Sequence, residues 1–198
     1  MVIDELDDGI VIRHLKTPTD VTQWRAGFIG AYQTIFSGFP YFERFYPSEA
    51  EGIYRKLTST PHSTTLVATK GESTVLGFGV GIPLANKHSV ANQLTGLVPI
   101  NHTFYLAELG VLRKHRGKKI GRTLVRERLR LVDRDRFSHV LLRISCNNTP
   151  SSEMYRAMGF EEMGVYMEVS GMRTDGRVTS DRRLFMSRVL SQVDIDGA

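Results

Sequence analysis

The sequence predicts an α/β fold built on one mixed sheet. Three observations point there: segments of helical spacing alternate with short strand-like runs, no linker or composition break divides the 198 residues, and no stretch repeats. "GIVIRHL" (9–15) alternates enough for a first strand. "TDVTQWRAGFIGAYQTIF" (19–36) opens with cap-type residues and sets Val21, Trp24, Phe28, Ala31, Tyr32 and Ile35 on one helical face. "SGFPYFERFYP" reads as an aromatic-rich loop, and "SEAEGIYRKLTST" as a second helix stopping before Pro61. "STTLVATKGESTVLGFGVGIPLA" gives two strands around Lys70-Gly71-Glu72, an antiparallel hairpin.

"NKHSVANQLTGLVPINHT" (86–103) shows no clear period, and an internal loop of that length is more often functional than idle. "FYLAELGVL" is a fourth strand, followed by a basic turn and the helix "RTLVRERLRLVDRD", with Leu124, Val125, Leu129, Leu131 and Val132 facing inward. "FSHVLLRISC", nearly continuously apolar, suits an internal fifth strand and puts Cys146 in a packing role. "NNTPSSEMYRAMGF" is a short helix with Thr149 as N-cap, Pro150 at the first position and Gly159 at its end. "EEMGVYMEVSGM" and "DRRLFMSRVL" close the order as two late strands.

Composition excludes several classes. Hydrophobic residues make up 41% and charged residues 24%, as in globular proteins. A lone Cys146 allows neither an internal disulfide nor a cysteine zinc cage, and the six histidines never take a metal-ligand spacing, so no metal is expected. The acidic start "MVIDELDDGIVIRHL" is unlike a signal peptide, and no apolar run approaches the ~20 residues of a membrane span. A cytoplasmic protein without a membrane partner is the expectation.

Net charge is +5, yet residues 113–136 alone carry +8, which leaves −3 for the rest. Charge concentrated in one short segment suits a compact anion better than a nucleic-acid track. The segment is "RKHRGKKIGRTL" (113–124), between a strand and a helix. Such a turn aims backbone N–H groups and the positive end of the helix dipole at one point. Gly117 and Gly121 allow close approach of the main chain, and Arg116, Lys118, Lys119 and Arg122 add countercharge. The result is a phosphate or pyrophosphate seat, with neither the nucleotide triphosphate loop pattern nor a dinucleotide fingerprint.

"LAELGVLRKHRGKKIGRTLV", followed about thirty residues later by "NNTPSSEMYRAMGF", resembles the acetyl-CoA-binding core of the GCN5-related N-acetyltransferases (GNAT). The family loop, Gln/Arg-x-x-Gly-x-Gly/Ala, corresponds to Arg116, Gly117, Lys118, Lys119, Ile120 and Gly121, with Lys119 where the pattern has its middle glycine. A lysine is tolerable there with helical dihedrals, whereas a positive φ would weaken binding. The resemblance implies one domain over 1–198, with a mixed, mostly antiparallel sheet of about seven strands and about four helices.

It further implies acetyl-CoA as co-substrate, held by the 116–122 loop, by Leu109, Val111, Leu112 and Arg113, and by Asn148 and Tyr155. The backbone N–H of Val111 or its neighbour would face the oxyanion, and Tyr155 would protonate the departing thiolate. Glu108, among Leu106, Ala107, Leu109 and Gly110, is the candidate base for the amine, directly or through water. Phe36, Phe39, Tyr41, Phe42, Phe45 and Tyr46 are either acceptor-pocket wall or core. The expected function is acetyl transfer to a primary amine of a small molecule, an antibiotic or metabolite. A peptide N-terminus or lysine, or a non-catalytic acyl-CoA-binding module, are the alternatives. A homodimer is expected only by analogy with such folds.

Overall fold

The computed structural model describes residues 1–191. Its eight strands form one sheet in the order β1-β2-β3-β4-β5-β6-β8-β7. They are β1 (Val2–Leu6), β2 (Ile10–His14), β3 (Thr64–Lys70), β4 (Thr74–Pro83), β5 (Thr103–Val111), β6 (His139–Ser145), β7 (Glu161–Met172) and β8 (Val178–Val189). Every pairing is antiparallel except β5 with β6. Five helices flank it: α1 (Pro18–Phe36), α2 (Pro47–Ser59), α3 (His88–Ala91), α4 (Ile120–Leu131) and α5 (Thr149–Arg156).

Alternation along the strands builds two apolar faces. Val67, Phe78 and Val80 meet Trp24, Phe28 and Tyr32 of α1 and Tyr54 of α2, the anticipated helical stripe included. Leu66, Ala68 and Leu76 meet Ile120 and Leu124 of α4. Val140 and Leu142 meet Val125, Leu129 and Tyr155 on that second face. The α1 start is fixed by a capping box in which Thr17 accepts from the Asp20 N–H, with Pro18 in the first turn.

The structure departs from the sequence reading at four places. The acidic start forms an eighth strand, β1, against β2; an edge strand tolerates charge, and its Asp4 takes Arg126 of α4 at 2.6 Å. Residues 86–103 are packed and not loose: they hold α3 and several short turns, with Val90 and Leu94 fully buried in the α1-side core. Asn148, not Thr149, caps α5, accepting from the Ser151 N–H at 3.4 Å. Cys146 lies one residue beyond β6 and is exposed, so it packs nothing.

Candidate active site

The site begins where two parallel neighbours part. β5 pairs with β6 only from Thr103 to Tyr105. Across β5, Val80 faces Glu108 while Ile82 faces Tyr105, so β5 carries one extra residue between those pairs. That bulge bends the strand. Beyond it the β6-facing edge of β5 has no strand partner, and a wedge opens between β5 and β6.

Three abutting cavities follow the wedge. The first, about 480 Å³, runs along Leu109, Gly110 and Val111 to the basic turn and the start of α5. Arg116, Gly117, Lys119, Ile120, Gly121, Arg122 and Asn148 line it. The second, about 60 Å³, is the wedge itself, and both Glu108 and Tyr155 line it. The third, about 360 Å³, opens on the far side among α1, α2, β6 and β8. Tyr41, Leu109 and Ser151 border both the first and second cavities, and Phe36, Glu108, Arg143 and Arg183 both the second and third.

Around the first cavity, α4 starts without a side-chain cap, so its leading N–H groups have no side-chain partner. Gly117 has φ +81°, which glycine adopts freely; Lys119 has φ +63°, the left-handed conformation that disfavours a lysine. Gly121 leaves room beside Val111 and Met154. Leu112, Arg113 and Lys118 stand outside this cavity. The Leu112 N–H donates to the Leu76 carbonyl at 2.8 Å, Arg113 is exposed, and Lys118 Nζ is 2.6 Å from Asp8 Oδ2. Asn148 Nδ2 donates to Tyr41 Oη at 3.3 Å, tying the aromatic loop to α5. Tyr155 is 3% exposed and lines the wedge, not the first cavity.

In the wedge, burial pushes the Glu108 carboxyl above the ordinary carboxylate range, against the pull of Lys87, Arg143 and Arg183. Burial likewise raises the Tyr155 phenol, opposed by Arg128. Arg128 is a cation with 0% exposure. Its Nε donates to the Leu124 carbonyl at 3.1 Å, and its Nη1 to the carbonyls of Val80 at 3.1 Å and Glu108 at 3.0 Å. The guanidinium therefore braces β4 and β5 at the bulge. Gly79 makes the space: a Cβ there would stand 2.8 Å from Nε.

Several of these residues escape a sequence reading. Arg128 is hidden in a run of helix arginines that look solvated. Lys87 sits in the aperiodic segment, and His115, whose buried Nδ1 has no partner, lines the first cavity beside the motif. Arg143 left a signal, as the one charge within "HVLLRIS". The aromatic loop divides: Phe36 is buried, Tyr41 and Phe45 line cavities, and Phe42 and Tyr46 are exposed. Among the described residues, no group of three His, Cys, Asp or Glu could hold a metal ion, and no helix is long and apolar enough to cross a membrane.

The sheet split thus lies beside an uncapped basic helix start, with a carboxylate and a phenol lining the split. Residues 30–160 match the model of the Acetyltransferase (GNAT) family, and the chain belongs to that family. No curated protein sequence matches it. Among solved structures it is similar to a phosphinothricin acetyltransferase of Sinorhizobium meliloti in complex with acetyl-CoA (TM-score 0.65, 21% identity, 93% of this chain and 90% of that one). It is also similar to a ribosomal-protein-alanine N-acetyltransferase of Brucella melitensis (TM-score 0.64, 23% identity, 90% and 99% covered). A GNAT acetyltransferase of Streptococcus pneumoniae follows (TM-score 0.61, 16% identity, 92% and 99% covered). At these identities the likeness is one of fold.

Proposed function

We propose that the chain, as one domain over 1–198, moves the acetyl group of acetyl-CoA directly onto the primary amine of a small molecule. The observation that carries this is that Glu108 and Tyr155 both line the small cavity that abuts two large ones. A donor and an acceptor entering from opposite ends would react there. Family membership and the acetyl-CoA in the Sinorhizobium complex support the donor.

In this reading the leading N–H groups of α4, with Arg116, Gly117, Lys119, Ile120, Gly121 and Arg122 around them, receive the pyrophosphate. The pantetheine arm lies along the open edge of β5 past Leu109 and Val111, as an added strand would, with Asn148 on its other side. Glu108 takes a proton from the ammonium, whose nitrogen then attacks the thioester carbonyl carbon. A main-chain N–H near Val111 stabilises the oxyanion. As the intermediate collapses, the nitrogen gives up its second proton to water, the C–S bond breaks and Tyr155 protonates the thiolate, leaving an amide and coenzyme A. Arg128 favours the phenolate left behind.

Tyr155→Phe tests the assignment. It is expected to lower kcat by about 10²-fold or more while calorimetric acetyl-CoA affinity stays near the parent value. An unchanged kcat removes Tyr155 from the chemistry.

A further inference from the structure

The third cavity contains more charge than a simple amine needs. Most of it is spoken for. Glu43 is held by Arg173 and Arg183, and Arg183 also by Asp181. Glu49 accepts from the Tyr46 N–H at the head of α2, and Arg44 lies over the Tyr46 ring. Facing the cavity there remain Glu108, Lys87, Arg143 and Lys56, the last of them exposed to water.

Lys87 and Arg143 are half-buried, and among the described residues neither has a carboxylate within ion-pair distance. Arg143 reaches only neutral partners: its Nη1 donates to Met167 Sδ at 3.1 Å, a weak acceptor, and its side chain also bonds the Tyr105 hydroxyl, which leaves its charge unbalanced. Burial pushes the Lys87 ammonium below its ordinary range. Withdrawing cations from water without a counter-charge is costly, and an oxyanion between them would offset that cost. Glu108 attracts both from a distance but lies within ion-pair reach of neither. Tyr32, Ile53, Leu57 and Ile82 make the remaining wall apolar.

Resting on the acetyltransferase reading above, we infer that the acceptor carries an anionic group besides its amine. A carboxylate or phosphonate-type oxyanion sits on Lys87 and Arg143, and the amine a few bonds away reaches Glu108. The substrate class is a small zwitterion of amino-acid type. Polycationic amines would meet two fixed positive charges and are excluded.

Thiol release from acetyl-CoA, measured over a panel of amines, tests this. The panel sets each common amino acid beside its carboxamide, 2-aminoethylphosphonate beside ethylamine, and includes spermidine. At least one acid is expected to exceed its neutral partner in kcat/KM by about tenfold or more, mainly through KM. Lys87→Met and Arg143→Gln should each erase that excess while calorimetric acetyl-CoA affinity is kept. The inference is overturned if neutral partners equal or exceed the acids, if spermidine is preferred, or if acetyl-CoA binds and nothing is acetylated. The first two results leave the acetyltransferase reading standing, whereas binding without transfer to any amine favours the non-catalytic module. Failure to bind acetyl-CoA at all brings down the reading beneath it.

Discussion

Glu108 shows how one residue's surroundings set its chemistry. Its raised pKa means that folding disfavours the ionised form, so two consequences follow with definite signs. In catalysis, kcat/KM should fall as pH drops through that raised pKa, and Glu108→Gln should remove this acid limb; a mutant profile with the limb intact would take Glu108 out of the base role. In stability, the penalty is absent below the unfolded-state pKa and complete above the folded one. Glu108→Gln should therefore raise Tm at neutral pH and leave it unchanged in acid. At this scale the motif was a partial guide: Arg116, Gly117, Lys119 to Arg122 and Asn148 line one cavity, while Leu112, Arg113 and Lys118 stand outside it. Lys119 was visible as a departure, but its left-handed φ depends on how the turn joins α4, which residue types alone do not specify. Arg143 and Lys87 were unreadable as a pair because β6 and the packed 86–103 segment meet only in three dimensions.

Among the elements, β5 carries the design: it pairs with β6 for three residues, bulges, and leaves an open edge. Arg128 of α4 braces that bulge from below, in a seat that only a glycine at 79 leaves clear. Gly79→Ala should cost about 1–3 kcal/mol in denaturant unfolding and lower activity as well, since the colliding guanidinium also touches the carbonyl of Glu108. A variant with parent stability would show that the seat is looser than described. The strands and helices themselves were legible from apolar spacing. The exceptions are instructive: β1 is a charged edge strand that needs only one paired side, α3 is a single turn of four residues in an aperiodic segment, and α5 is capped by Asn148, which accepts from the Ser151 N–H.

Over the whole molecule, local charge excess and global fold serve different ends. The +8 of residues 113–136 is spent unevenly: Lys118 on Asp8, Arg126 on Asp4, Arg128 on the sheet, and Arg116, Lys119 and Arg122 on the first cavity. Composition could locate the excess but not divide it. Fold stability has its own titrating group in His14, at the end of β2, whose pKa burial lowers to about 4. A depressed histidine contributes stability that is complete above its unfolded value of 6.5 and is lost as pH falls towards about 4. Up to about 3 kcal/mol should disappear across that window. His14→Leu should flatten the loss, and an equally steep decline in the variant would assign it elsewhere.

The most direct measurement is a crystal structure of the protein with coenzyme A. The account predicts the pyrophosphate on the N–H groups at the start of α4, the pantetheine along the open edge of β5, and the sulfur between Glu108 and Tyr155. Coenzyme A bound anywhere else, with the β5–β6 wedge unused, would contradict it.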